Sequence, residues 1–97
     1  MYEITKYSFD RAKKLGVFIK PAKSKNKKID VYNKDGKKIA SIGGVKKDGS
    51  FYKDYASILK TEGKAAAKKR RTLYKIRHER FRNIKGTNSY FADQILW

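Results

Sequence analysis

The sequence has no cysteine, a single histidine and a single proline, and it contains no long apolar run. Without cysteine it has neither a disulfide framework nor a thiolate metal site, and one histidine cannot form a histidine cluster. No stretch approaches the roughly 18 apolar residues of a membrane-spanning helix. The segment MYEITKYSFDRAKK lacks the apolar core of a secretory signal. These absences predict a soluble protein made in a cytosolic compartment, with no metal site and no cofactor.

Sequence motifs of common enzyme classes are also missing. There is no GxxxxGK[ST] phosphate loop, no GxSxG nucleophile motif and no paired-carboxylate motif. The single histidine, His78, lies in the charged run RHER, which favours a surface histidine over a general base. The segment SIGGVKKDG resembles a phosphate cradle only loosely, and we interpret it as a plain loop. The sequence therefore predicts a protein that is not an enzyme and has no small-molecule substrate.

What the chain has in excess is positive charge, with 26 Lys and Arg residues against 9 Asp and Glu residues and a net charge of +17. This excess indicates an anionic partner, which can be nucleic acid, an acidic protein surface or an anionic membrane. High net charge favours disorder. The 39% hydrophobic and 13% aromatic content nevertheless favours one small folded domain, residues 1–97, with a thin core.

Turn and cap residues predict the secondary structure near the start of the chain. Ser8 as an N-cap and Gly16 as a left-handed stop define a short N-terminal helix. Residues 17–20 are rich in strand formers and predict a strand, which Pro21 ends.

The clearest local pattern is KKIDVYNKDGKKIASIGG, in which an Asp-Gly turn separates two strand-like runs. This pattern predicts a β-hairpin at about 28–42. The apolar residues then change to helical spacing, which predicts two central helices at about 51–60 and 62–82. We therefore predict an α+β fold, in which the two central helices pack a small antiparallel sheet. Basic or glycine-rich loops are expected at 22–28 and 43–50.

The longer central helix is predicted to carry a basic ridge on one face. The ridge consists of Lys64, Lys68, Arg71, Lys75 and Arg82. At 1.5 Å rise per residue it extends over roughly 27 Å, and each phosphate that it neutralised would release counterions. A solvated helix face is the alternative interpretation. Because no recognition-helix, zinc-finger, RRM or KH pattern is present, binding to nucleic acid is expected to be independent of sequence.

Two arginines fall on the apolar face of this helix, opposite the ridge. Arg70 and Arg77 lie there seven residues apart, among residues such as Leu73 and Phe81. Such arginines either lay their stems on the core with the head in water or pair with a carboxylate. We expect one of these structural roles, with Asp93 as the candidate carboxylate, while a direct contact with a partner is the alternative.

The segment SYFADQILW is predicted to be a docking element. Its five large apolar residues would form an aggregation-prone patch if they were left exposed. They are Tyr90, Phe91, Ile95, Leu96 and Trp97. We expect Ser89 to cap a short helical turn here and the segment to fold back on the apolar face of the longer central helix. Insertion of the segment into a neighbouring protein is the rival hypothesis.

Three segments of the chain resemble a family of small basic proteins encoded by large nucleocytoplasmic DNA viruses of algae and amoebae. These segments are KKIDVYNKDGKKIASIG, YKDYASILKTEGKAAAKKRRTLYKIRH and GTNSYFADQILW. The resemblance covers about residues 27–97. Its most specific parts are Lys69-Arg70-Arg71, Tyr74, Arg77-His78 and the ending from Tyr90 to Trp97.

The resemblance implies a virion protein, because abundant basic proteins of such viruses tend to travel in the particle, under the capsid shell or with the genome. The expected function is a minor structural protein of the particle, made in the host cytoplasm. Its basic surface would contact DNA, acidic capsid protein or the inner membrane. The alternative is a sequence-independent nucleic-acid-binding protein for genome packaging or regulation.

Overall fold

The computed structural model describes residues 3–97, and this part of the chain forms five helices and three strands. The helices are α1 (Lys6–Leu15), α2 (Tyr55–Glu62), α3 (Lys64–Arg77), α4 (Glu79–Arg82) and α5 (Asn88–Ile95). The strands are β1 (Phe18–Pro21), β2 (Ile29–Tyr32) and β3 (Lys38–Ile42), which form one antiparallel sheet in the order β1-β2-β3. The predicted α+β class is confirmed.

The β2–β3 hairpin forms at the predicted place because its turn residues satisfy the backbone. The side-chain oxygen of Asn33 accepts hydrogen bonds from the N–H groups of Asp35 and Lys37, at 3.0 and 2.9 Å. Gly36 adopts a φ of 82°, a left-handed conformation that costs glycine little. In the resulting register Ile29 lies opposite Ile42, and both are buried on the core side of the sheet.

The hydrophobic core lies between the sheet, α1 and α5. Its buried members are Ala12, Ile19, Ile29, Val31, Ala40, Ile42, Phe91, Ile95 and Leu96. Three of these nine residues come from the last seven positions of the chain. Burial of a large apolar side chain contributes about 1.5–3 kcal/mol, so this segment supplies a substantial part of the stability of so small a domain.

The segment 89–97 is docked within the chain, and it contacts α1 and the sheet as well as the helices on which docking was predicted. The hydroxyl of Ser8 in α1 donates to the carbonyl of Ile95 at 3.0 Å. Apolar side chains of α5 pack on the sheet and on α1. On the predicted apolar face of the longer helix, Leu73 and Phe81 remain 48% and 51% exposed, so this face receives the segment only in part. From that helix, Tyr74 stacks on Trp97.

The structure corrects two predicted helix caps in the same way: in each helix a threonine shortly before the predicted serine is the N-cap. The side chain of Thr5, rather than Ser8, caps α1 by accepting from the N–H of Ser8 at 3.2 Å. Likewise Thr87, rather than Ser89, caps α5 by accepting from the N–H of Tyr90 at 3.2 Å. Gly16 ends α1 in the left-handed conformation, as predicted.

The central helices differ from the prediction at both ends. Asp54 is extended and caps α2 by accepting from the N–H of Ser57 at 3.0 Å, so the helix begins at 55 rather than 51. Phe51 instead forms an isolated bridge with Val45. The expected helix at 62–82 is divided at His78 into α3 and α4.

We predict that the final segment is required for folding of the monomer. Ile95→Ala should lower the free energy of unfolding by about 2–5 kcal/mol, because a fully buried side chain leaves a cavity. Ile84→Ala, at a residue that is 52% exposed, is the matched control and should change it by at most about 0.5 kcal/mol. Chemical denaturation of both variants measures the difference.

Deletion of residues 90–97 extends the same prediction. The truncated chain should show no cooperative unfolding transition, since a third of the core is removed. A truncated chain that melts like the full chain but fails to join a partner would contradict internal docking and favour insertion into a neighbouring protein.

Candidate functional site

A buried ion pair connects the sheet to the helical half of the molecule. The Lys28 ammonium lies 3.3 Å from a carboxylate oxygen of Asp54, and the two side chains are 3% and 2% exposed. The ammonium also donates to the carbonyl of Tyr52. Burial lowers the pKa of Lys28, and the charge of Asp54 opposes that shift. The pair fixes the segment before β2 against the N-terminus of α2.

The Gly-Gly sequence after β3 is explained by packing against the side chains of Lys28 and Tyr52. A Cβ atom on Gly43 would lie 2.6 Å from the side chain of Lys28, and the φ of 94° also favours glycine. A Cβ atom on Gly44 would lie 2.9 Å from the ring of Tyr52. Because neither glycine has a Cβ atom, the loop can pass close to the side chains of Lys28 and Tyr52.

A second buried carboxylate, Asp93, holds α3 and α4 against α5. It lies 2.8 Å from the ammonium of Lys75 and 3.8 Å from the guanidinium of Arg82, and it is fully buried. Arg70 and Arg77, which we predicted as its partners, do not contact it. Arg70 is 55% exposed and lies 4.0 Å from Glu62, and Arg77 is exposed. The predicted partners of Asp93 are thus corrected.

Arg71 also has a structural position. Its guanidinium lies over the ring of Tyr55, 3.6 Å from the centroid, which is a cation–π contact. It donates to the main-chain oxygen of Trp97 at 2.8 Å and to the hydroxyl of Tyr7 at 2.9 Å. This one side chain joins α3 to α1, α2 and the end of the chain.

The five residues of the predicted ridge are therefore not all presented to solvent. Lys64 and Lys68 are exposed, whereas Arg71, Lys75 and Arg82 are partly buried in the contacts described above. The side of α3 that faces the protein lies between the two predicted faces. Besides the buried Ala67 and the stack of Tyr74 on Trp97, the helix docks through hydrogen bonds and ion pairs, and an apolar stripe does not reveal such docking.

A cleft of about 750 Å³ opens beside α3. Its walls come from the loop after β3, the segment before α2, one side of α3, and α5. The charged residues that line it include Lys27, Lys46, Lys53, Arg70 and Arg77, with one carboxylate, Glu62. Lys53 lies 3.1 Å from that carboxylate. The cleft therefore carries a strong excess of positive charge.

One wall of the cleft is aromatic. Trp97 stacks on Tyr74 with ring centroids 4.6 Å apart and planes at 13°, and His78 lies 4.3 Å from Tyr74 on the same helix. Tyr52 also lines the cleft and is 55% exposed. The sequence analysis did not identify this cleft or Tyr52, and it interpreted the segment SIGGVKKDG, which contains Lys46, as a plain loop. The reason is that the lining residues come from segments that are far apart in the chain.

Among residues 3–97 no group of three or more His, Cys, Asp or Glu side chains is placed to hold a metal ion. Within the same residues, no helix combines the length and the apolar character needed to cross a bilayer.

We predict that the Lys28–Asp54 pair is essential for stability. Lys28→Met should lower the free energy of unfolding by about 3–5 kcal/mol, because Asp54 is left as a buried charge. The double variant Lys28→Met/Asp54→Asn should recover part of that loss, since the amide oxygen can still cap α2. Lys27→Met is the neighbouring control. Equal denaturation midpoints for Lys28→Met and Lys27→Met would contradict this role.

We also predict that Tyr74 ionises later than an ordinary tyrosine. Burial, and then the nearby charge of Asp93, raise the pKa of Tyr74 to about 12. Since this pKa is raised in the folded state, its contribution to stability is present below pH 10 and is lost as the pH rises towards 12. The absorbance titration of the wild type minus that of Tyr74→Phe should show one phenol with the raised pKa. A difference curve with its midpoint near pH 10 would refute the assignment.

Comparisons of the chain with protein-family models, with curated proteins and with solved structures found no match.

Proposed function

We propose that this protein is a minor structural protein of a large DNA-virus particle that contacts the genome without sequence preference. The family resemblance of residues 27–97 supports the viral setting. The distribution of charge over the folded chain supports the contact with nucleic acid. An acidic capsid protein and the inner membrane are the other anionic partners that such a surface could meet.

The observation that carries the proposal is the burial of acidic residues. Asp30, Asp54 and Asp93 are at most 1% exposed, whereas Lys28 is the only basic residue among the described ones that is buried. Six of the nine acidic residues and all but one of the 26 basic residues thus remain outside the core. The surface is therefore more one-sided in charge than the composition indicates.

Asp30 illustrates how the carboxylates are held inside. Burial by itself raises the pKa of Asp30. The carboxylate accepts hydrogen bonds from the Ser41 hydroxyl at 2.6 Å and from the Lys23 N–H at 3.2 Å, and it lies near the charge of Lys38. Together these interactions outweigh burial and lower the pKa overall. This carboxylate is thus ionised at neutral pH, satisfied by its neighbours and turned away from any external partner.

A surface of this kind favours nucleic acid over the alternative partners. The exposed cations lie on several elements, including both flanks of α3 and the loops 22–28 and 43–50. A polyanion can follow such a dispersed surface, and each neutralised phosphate releases counterions. Base-specific readout needs side chains placed in a groove, and no element carries a pattern for it.

We predict salt-sensitive binding to duplex DNA. Raising the salt from about 50 to 200 mM should weaken binding by roughly 10³-fold or more, if six or more phosphates are contacted. Duplexes of unrelated sequence should bind alike in fluorescence anisotropy. Lys64→Gln/Lys68→Gln should reduce the salt slope by about two. A binding constant that is insensitive to salt, or a strong preference for one duplex, would contradict the proposal.

The virion role has its own test, which separates it from a protein for packaging or regulation alone. Purified particles should contain the chain at a fixed ratio to the capsid protein, and they should retain it after nuclease removes the DNA. Loss of the chain together with the DNA would instead favour a dedicated nucleic-acid-binding protein.

A further inference from the structure

We propose that the cleft beside α3 binds unpaired bases, so that the protein prefers single-stranded to duplex nucleic acid. This inference rests on the proposed function, because it specifies the form of nucleic acid that the cleft accepts. It assigns the aromatic wall and Tyr52 to the bases and the cations of the rim to the phosphates.

The size and lining of the cleft suit a short piece of a single strand. Its volume of about 750 Å³ lies within the roughly 300–1,000 Å³ of sites that enclose small organic ligands. In a duplex the base faces are covered by neighbouring bases, so they cannot enter such a cleft. An unstacked base can enter, and its flat face then needs a flat apolar surface.

The aromatic residues provide that surface. At one wall Trp97 stacks on Tyr74 with ring centroids 4.6 Å apart, and the ring of His78 lies tilted by 32° against Tyr74 at 4.3 Å. Tyr52 lines the same cleft and is 55% exposed, with the ammonium of Lys46 5.6 Å from its ring centroid and Gly44 beside the ring. Stacking of a base on an aromatic side chain strengthens binding by roughly tenfold and tolerates every base. This agrees with binding that is independent of sequence.

The rim of the cleft provides cations for the sugar-phosphate backbone. Arg70 and Arg77 lie two helical turns apart on the side of α3 that faces the cleft. Within residues 3–97, no carboxylate lies within 4.0 Å of Lys27, Lys46 or Arg77. Lys27 and Arg77 can therefore pair with phosphates without first breaking an internal ion pair, and Lys46, which lies over the Tyr52 ring, can bind a phosphate next to a base on that ring. Ser89, which also lines the cleft, adds a hydroxyl that can bond to a base edge.

The chain contains its own reporter for this inference, because its single tryptophan, Trp97, lines the cleft. The experiment follows Trp97 fluorescence while the full chain is titrated with an oligothymidine of about 12 nucleotides. A duplex of the same length and inorganic polyphosphate serve as comparison ligands. The single strand should quench Trp97 and bind at least tenfold more tightly than the duplex, whereas polyphosphate should bind without comparable quenching.

Two matched pairs of variants locate the binding site. Tyr52→Leu should weaken binding of the single strand about tenfold and leave polyphosphate binding unchanged. Its control is Phe18→Leu, which alters an aromatic residue that is 61% exposed and lies outside the cleft. Arg70→Gln/Arg77→Gln should weaken the single strand more than Lys13→Gln/Lys14→Gln, although both double variants remove two charges. Circular dichroism confirms that each variant is folded.

The outcomes separate this inference from the proposed function. If single strand and duplex bind equally, without quenching, and Tyr52→Leu behaves like Phe18→Leu, the cleft does not bind bases while DNA binding itself stands. If neither form of nucleic acid binds at low salt, the proposed function fails and the inference fails with it. Quenching by the single strand that both Tyr52→Leu and the double arginine variant reduce would support the inference.

Discussion

The buried pair of Lys28 and Asp54 connects the segment before β2 to the N-terminus of α2. The main core lies between the sheet, α1 and α5, whereas Ile58 and Ala67, the buried apolar residues of α2 and α3, lie outside it. The ion pair fixes where α2 begins, because Asp54 is also its cap. The positions of α3 and of the cleft beside it follow from that arrangement.

Polar contacts attach α3 to the rest of the fold. Arg71 reaches the main chain of Trp97 and the ring of Tyr55, and Lys75 reaches Asp93. Such contacts are directional, so they determine the rotation of the helix about its axis more sharply than an apolar stripe would. In the resulting orientation of α3, Arg70 and Arg77 border the cleft. Three of the nine carboxylates are buried, and of these Asp93 is the one that pairs with α3.

The pairing of the buried carboxylates also determines the charge of the surface. Because buried carboxylates are satisfied by a few selected cations, the remaining cations stay available to an external anion. The aromatic residues near the end of the chain have two roles. Phe91 faces the core, whereas Trp97 stacks on Tyr74 at the edge of the cleft. Stability and the proposed binding site therefore share one short segment.

The sequence by itself determined the features that depend on neighbouring residues. The Asp-Gly turn, the left-handed Gly16 and the apolar segment from Tyr90 to Trp97 led to the α+β class, the hairpin and a docked ending, because turn geometry and burial act locally or through composition. Tertiary structure decided the rest. It decided which cations pair with Asp93, where α2 begins, and that distant segments meet in one cleft, since ion pairs and stacked rings depend on the three-dimensional positions of residues far apart in the chain.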